Sequence, residues 1–159
     1  MNTTKRSLLR KGLIIGLIIA LAGGAYAYYL FNMPHRDVVG AKADLTLAAD
    51  ALVNEFLADA AVANAKYLDA EGESKVLAIS GTVAAVETDL SGQTVVLLKN
   101  AGADAGVRCS FTEATNAQAA TLTIGDNTTI KGVIRAGAAY DEDLELYEHA
   151  ILEKCSISQ

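Results

Sequence analysis

The stretch "KVLAISGTVAAVET", residues 75 to 88, decides the fold. Its apolar residues alternate with a period of two, which is typical of a β-strand, yet Gly81 falls on the same side as Leu77, Ile79 and Val83. A glycine inside a strand weakens it and often marks a bend or the close approach of another segment. The stretch therefore predicts a long strand that bends at Gly81.

A second stretch, "TTIKGVIRAG" at residues 128 to 137, repeats this feature with Gly132 between Ile130 and Ile134. In a small closed barrel the long strands bend so that each contributes to both halves of the sheet. A glycine on the inward face relieves crowding at such a bend. The alternative is that both residues are ordinary bulge glycines in another kind of β-sandwich.

The periodicity of the remaining chain predicts one amphipathic helix and five strands. The helix runs from Thr46, as N-cap, to Tyr67. Its apolar residues are three or four positions apart, at Ala49, Leu52, Phe56, Ala60, Ala63 and Tyr67. Strands are predicted at 75–87, 94–99, 107–111, 128–137 and 149–158, with a short helix within 112–127 and an acidic loop at 138–148.

The predicted order β-β-β-α-β-β is that of the OB-fold, a five-stranded, partly open Greek-key barrel. We therefore predict a mainly β protein, with a five-stranded OB-fold barrel preceded by an amphipathic α-helix. In such a barrel the first and fourth strands are neighbours, and so are the third and fifth.

An N-terminal transmembrane helix is predicted from "GLIIGLIIALAGGAYAYYLF", residues 12 to 31, which contains no charged residue. About 20 apolar residues are enough for a helix to cross the hydrocarbon core of a bilayer. The basic residues Lys5, Arg6, Arg10 and Lys11 all precede it, and positive charge resists translocation. We expect a cytoplasmic N-terminus and an extracytoplasmic domain.

A cleaved signal peptide is the competing interpretation, because Ala25-Tyr26-Ala27 fits the small-x-small cleavage pattern. The apolar run continues to Phe31 with aromatic residues that suit a membrane interface, which favours a retained anchor. The predicted organisation is a basic head at 1–11, an anchor at 12–31, a linker at 32–45 and the helix plus barrel at 46–159.

The charge balance argues against a nucleic-acid partner. The chain has 19 acidic and 13 basic residues, and four of the basic ones lie in the head, so the rest carries a net charge of −10. Nucleic-acid binding needs basic grooves and exposed aromatic side chains. Phe56, Tyr67 and Phe111 are predicted to be in the core, and Tyr140 and Tyr147 lie in the acidic loop.

No catalytic, metal or cofactor site is predicted. His35 and His149 have no second histidine or cysteine at metal-ligand spacing, and His149 is expected to be exposed at a strand end. The sequence has no nucleophile elbow and no phosphate loop; the stretch "GADAG" at 102–106 is predicted to be a turn. We predict a protein that is not an enzyme and that binds no cofactor.

Two cysteines, Cys109 and Cys155, fall on the apolar faces of the third and fifth predicted strands. Because these strands are neighbours in an OB-fold, the two thiols can form a disulfide outside the cytoplasm. They can equally be buried, reduced and part of the core. With Gly81 and Gly132, they are the residues to which the sequence assigns a structural role.

Several motifs resemble those of the tRNA_anti-like family of bacterial membrane-anchored or lipoprotein-type proteins. The motifs are "PHRDV", "AKYL", "KVLAISGTV", "VRCSF", "TIGDNTTIKGVI" and "LEKCSI", and they extend from Pro34 to Ile157. The resemblance implies an OB-fold and a place in the bacterial cell envelope, here at the inner membrane. It implies no catalytic residues and does not indicate tRNA binding.

Three classes of function follow from these observations. The first is a membrane-anchored binding or scaffold module without catalytic activity, whose partner is an envelope protein or a small ligand. The second is a nucleic-acid- or oligosaccharide-binding protein, which is common among OB-folds. The third is an envelope enzyme, supported only by scattered carboxylates.

Overall fold

The structure is a computed structural model that describes residues 3–31, 37–70 and 72–158, in two compact units that divide after Arg36. The N-terminal unit contains one helix, α1 (Thr3–Phe31). Among the described residues, no helix is long and apolar enough to cross a membrane. The transmembrane helix predicted at 12–31 therefore finds no support in the structure. Residues 32–36 of the predicted linker, with His35, lie outside the described residues.

The second unit is mainly β, and eleven elements follow one another along it. They are β1 (Leu45–Ala48), α2 (Ala49–Ala58), α3 (Ala60–Tyr67), β2 (Val76–Thr88), β3 (Thr94–Leu98), β4 (Val107–Phe111), α4 (Asn116–Ala119), β5 (Asn127–Ala136), β6 (Ala139–Asp141), β7 (Leu146–Glu148) and β8 (Ala150–Ile157). The six-stranded sheet has the order β1-β2-β3-β4-β8-β5, and a β2–β5 pairing closes it. The predicted five-stranded barrel is thus present, with β1 added at one edge.

The long strand β2 takes part in both halves of the barrel. Its residues 76–82 pair with β5, and residues 83–88 pair with β3, with a register shift between Val83 and Ala85. Gly81 lies just before this change of partner. The neighbour relations predicted for an OB-fold are also present, because β2 pairs with β5 and β4 pairs in parallel with β8.

The single helix predicted from Thr46 to Tyr67 is wrong in two respects. Thr46 lies in β1, which pairs with β2, so strand pairing overrides the helical pattern and α2 begins only at Ala49. Asp59 then interrupts the helix with an extended backbone, and its carboxylate caps α3 by accepting the Val62 N–H at 3.0 Å. The predicted apolar face is buried in both helices except at Ala60, which is exposed.

The two helices close over the barrel and are linked to each other by side chains. The rings of Phe56 and Tyr67 are 5.7 Å apart in the core. The Tyr67 hydroxyl and Lys66 Nζ donate to the same carboxylate oxygen of Glu55, at 2.8 and 2.7 Å. These two hydrogen bonds lower the pKa of the Glu55 carboxyl. Phe56, Tyr67 and Phe111 are almost fully buried, as the sequence predicts.

The acidic stretch 138–148, predicted to be a loop, contains a two-stranded hairpin of β6 and β7. Tyr140 pairs directly with Tyr147, and their rings are 4.8 Å apart. Asp141 Oδ1 accepts the backbone N–H groups of Asp143 and Leu144 at 2.8 and 2.9 Å, which stabilises the turn. The sequence prediction missed the turn and the cross-strand pair of tyrosines, because the high acidic content of the stretch is typical of a solvated loop.

Candidate binding surfaces

Gly132 lies where β8 packs closely against β5. A Cβ atom at this position would be 2.6 Å from Cys155 Sγ and 3.0 Å from the carbonyl oxygen of Glu153. The pairing of β5 with β8 shifts register between Lys131 and Val133, so Gly132 lies opposite a bulge. The bulge includes Lys154, whose φ of 53° is in the left-handed region. Sequence reasoning missed this bulge, because no glycine or asparagine marks it in β8.

Gly81 is crowded to a lesser degree. A Cβ atom there would be 3.2 Å from the Cβ of Ala49 and 3.3 Å from the Cβ of Leu98. Neither Gly81 nor Gly132 has a positive φ, so the bend does not depend on backbone angles reserved for glycine. The close approach of neighbouring side chains and backbone is the physical reason for glycine at both positions.

Cys109 and Cys155 are both free and fully buried. This is the second of the two alternatives that the sequence left open. Burial raises the pKa of the Cys155 thiol well above its ordinary value, and the neighbouring Cys109 thiol raises it further. Because both side chains are fully buried among apolar residues, this pair contributes to core packing.

His149, predicted to be exposed, is half-buried and has a structural partner. Its Nδ1 accepts the backbone N–H of Gly106 at 3.1 Å, which links the turn before β4 to the residue that precedes β8. Burial lowers the pKa of His149, and the positive charges of Lys99 and Arg108 lower it further. The neutral imidazole is therefore favoured, and it is the form that can accept this hydrogen bond.

The outer face of the barrel sheet carries small and apolar side chains with balanced charges. One row across β2, β3, β4 and β8 consists of Ala85, Leu97, Arg108 and Ile151. Arg108 is 3.6 Å from the Glu87 carboxylate in the adjacent row, and Arg135 pairs with Glu153 at 2.8 Å. No aromatic side chain belongs to this face in β3 or β4.

A polar groove of about 490 Å³ opens where β1, β2 and β5 meet. It is lined by Ala48, Ser80, Gly81, Asn100, Asn127, Thr128, Thr129 and Ser158. The lining has hydroxyl and amide groups but no charged side chain. The Thr82 hydroxyl donates to Asn127 Oδ1 at 2.9 Å and so orients this amide at the edge of the groove. The groove suits a neutral ligand that is rich in hydrogen-bonding groups.

The β6–β7 hairpin is the third candidate surface. Four of its large apolar side chains are exposed, with exposed fractions of 48% for Tyr140, 66% for Leu144, 45% for Leu146 and 39% for Tyr147. Five carboxylates lie among them, on Asp141, Glu142, Asp143, Glu145 and Glu148. In the described part of the chain, none of the five takes part in an ion pair. The described residues also contain no group of three acidic, histidine or cysteine side chains that could hold a metal ion.

Comparison with known proteins identifies the family. The model of the tRNA_anti-like family matches residues 1–143. The chain belongs to the tRNA_anti-like family. This confirms the resemblance found in the sequence, and the barrel described above is the OB-fold that the resemblance implies.

One similar solved structure comes from Klebsiella pneumoniae subsp. pneumoniae MGH 78578 and is described as a "putative nucleic acid-binding lipoprotein". It is 17% identical in sequence, with a TM-score of 0.53, and the alignment covers 80% of this chain and 100% of the other. At this identity the likeness shows a common fold. No curated protein matches the chain.

Proposed function

We propose that this tRNA_anti-like protein is a non-catalytic binding module, held at the outer face of the bacterial inner membrane by its N-terminal helix. The observation that carries the proposal is the character of the three candidate surfaces, which are charge-balanced, neutral or acidic. None of them offers a reactive nucleophile. The buried Cys109 and Cys155 are inaccessible, and His149 is engaged by a backbone N–H group.

Attachment to the membrane is supported by the apolar segment 12–31 and the basic residues that precede it. Large apolar side chains along the described part of α1 are exposed, including Ile15, Ile19 and Tyr29. Exposed apolar surface of this extent calls for a lipid or protein environment. The proposed arrangement is a single pass with the N-terminus in the cytoplasm.

Protease treatment of spheroplasts tests this arrangement. We expect the barrel to be degraded in intact spheroplasts, and the mass of the membrane-bound protein to include residues 1–27. Protection until lysis would contradict the orientation. A mass that lacks these residues would indicate a cleaved signal peptide in place of an anchor.

Nucleic acid is not the proposed ligand, although the Klebsiella protein is described in those terms. The part of the chain beyond the basic head has a net charge of −10 and repels a polyanion. In the described part of the second unit, the exposed tyrosines are Tyr140 and Tyr147, which lie among carboxylates in the sequence. We expect no saturable binding of labelled single-stranded DNA or RNA to the full chain in detergent, at low or moderate salt. Micromolar binding that weakens with salt would overturn this part of the proposal.

A neutral oligosaccharide is the second candidate ligand, and the polar groove favours it. Sugars are bound by hydroxyl and amide side chains that form several directed hydrogen bonds, and Ser80, Asn127 and Thr129 supply such groups. Calorimetry with soluble cell-wall oligosaccharides tests this candidate. Binding that is lost in Asn127→Ala but kept in the exposed-loop variant Ser91→Ala would establish the groove as a sugar site.

A further inference from the structure

We propose that the β6–β7 hairpin is a docking surface for a cationic segment of a partner protein, one that carries an aliphatic or aromatic side chain between basic residues. The proposal rests on the proposed function and names the surface and the chemistry of the partner. Its first support is the exposure of Tyr140, Leu144, Leu146 and Tyr147 within ten residues. These side chains lie outside the buried core, with the two tyrosines on one face of the strands and Leu146 on the other.

The second support is the charge of the hairpin. Residues 139–148 contain five carboxylates and no basic residue. The neighbouring His149 is biased towards its neutral form, so it does not offset this charge. Like charges held close together favour a binding partner of opposite sign, which also accelerates association. Charge complementarity therefore selects a basic partner.

The third support is the arrangement of the two tyrosines. Tyr140 and Tyr147 are directly paired across the hairpin, so both rings project from one face. A lysine or arginine above such a ring gains a cation–π contact. Asp141 and Glu148 follow the tyrosines in sequence and so lie on the opposite face of the strands, and the partner segment needs apolar contacts with one face and basic contacts with the carboxylates of the other face and of the turn.

The same features disfavour other occupants. Nucleic acid and anionic lipid are repelled by the five carboxylates. A second copy of the hairpin would bring ten carboxylates together. No three of the carboxylates converge on a metal-binding point in the part of the chain that the structure describes. A cationic polypeptide that also carries an apolar side chain can pair with the carboxylates and cover the exposed apolar side chains.

The direct test is fluorescence anisotropy with the full chain in neutral detergent and a labelled heptapeptide, Lys-Leu-Lys-Gly-Lys-Leu-Lys. We expect saturable binding that weakens with salt. The peptide with serine in place of leucine should bind at least about fivefold more weakly, because the apolar contact is lost. The peptide with glutamate in place of lysine should not bind.

Two matched variants locate the site. Glu142→Lys and Glu113→Lys both reverse one exposed charge in a turn, but only the first is in the hairpin. We expect Glu142→Lys to lower the affinity for the peptide by about fivefold or more. Glu113→Lys should change this affinity by less than about twofold. Because both variants are measured in the same detergent, binding of the peptide to the micelle contributes equally to the two measurements. Equal affinities of the two variants would overturn the proposal.

A second pair of variants tests the rings. Tyr140→Ser with Tyr147→Ser should weaken binding as Glu142→Lys does, whereas Tyr140→Phe with Tyr147→Phe should retain it, because the rings remain. Self-association of the unliganded chain that disappears in the serine variant would identify a second copy as the occupant and overturn the proposal. So would oligonucleotide binding that the serine variant loses.

Crosslinking in native membranes separates failure of this inference from failure of the proposed function. A crosslinked companion that is retained in Glu142→Lys would leave the binding module standing and overturn the hairpin as its surface. If the wild-type chain gives no companion and binds neither peptide nor oligosaccharide, both proposals fail.

Discussion

The bulge region around Gly132 and the β6–β7 hairpin differ in how fully the fold explains their side chains. At Gly132 the absence of a Cβ atom makes room for Cys155 and the backbone of β8. In the hairpin, four large apolar side chains face solvent and five carboxylates have no ion-pair partner within the described residues. Side chains in the first region are constrained by packing. Those in the second make only local contacts, in the turn at Asp141 and between the paired tyrosines, and are otherwise exposed, which makes the hairpin the better candidate for a binding function.

Gly132→Ala should give the largest loss of stability. The added methyl group meets Cys155 Sγ and the Glu153 carbonyl at distances that force a shift, and overpacking of this kind costs about 1–3 kcal/mol. The midpoint of urea unfolding of the full chain measures the loss. Ala139→Val on the exposed side of β6 is the control and should leave the midpoint unchanged. Equal midpoints for Gly132→Ala and the wild type would show that β8 can shift to accommodate the added methyl group without loss of stability.

Alkylation of Cys109 and Cys155 tests the same packing without a substitution. Both thiols should react under denaturing, non-reducing conditions, since the structure has them free. In the native protein we expect labelling to be at least about 100-fold slower, because reaction requires local opening of the barrel. The rate should rise with pH, because the thiolate is the form that reacts. Absence of any label in the denatured, unreduced protein would instead demonstrate a disulfide.

Gly81→Ala should cost less than Gly132→Ala, which sharpens the comparison within the barrel itself. The added methyl group would contact only the side chains of Ala49 and Leu98, at 3.2 and 3.3 Å, and side chains can adjust by a few tenths of an ångström. The smaller conformational entropy of alanine in the unfolded chain offsets part of the cost. We expect a net loss below about 1 kcal/mol from the same urea experiment. If Gly81→Ala loses more stability than Gly132→Ala, packing is tighter around Gly81, where β2 changes its pairing from β5 to β3.

His149 should make the stability depend on pH near neutrality. Its folded-state pKa lies below the ordinary 6.5, so the unfolded chain binds more protons as the pH falls through 6.5. The contribution of His149 to the free energy of unfolding is therefore fully present above pH 6.5. It declines as the pH falls from 6.5 to the lowered folded-state pKa. His149→Asn keeps an acceptor for the Gly106 N–H but does not titrate, so its thermal midpoint should fall less between pH 7 and about 5. Parallel curves for the two proteins would contradict this role.

Tyr140→Ser with Tyr147→Ser should have the smallest effect on the barrel. These side chains are outside the core, and exposed substitutions usually change stability by less than about 0.5 kcal/mol. The urea midpoint should remain close to that of the wild type, while the peptide affinity falls. A loss of stability comparable to that of Gly132→Ala would mean that the hairpin serves the fold, and the contrast between the two regions would disappear.

The strand order and the five-stranded barrel were predictable from the sequence, because alternation of apolar residues and two inward glycines are local signals. The same holds for the buried faces of α2 and α3 and for the core positions of Phe56, Tyr67 and Phe111. The acidic charge and the family resemblance are also properties of the sequence alone. Together they indicate the fold class, and the acidic charge supports the proposal that nucleic acid is not the ligand.

Tertiary structure decided the rest, because each of the missed features depends on contacts between distant segments. Thr46 lies in a strand because β2 offers its edge, which no local pattern reveals. The bulge at Lys154 exists because β8 must match two neighbouring strands at once. The Gly106–His149 hydrogen bond joins residues 43 positions apart. The acidic stretch became a candidate surface only when Tyr140 and Tyr147 were seen to pair across a hairpin.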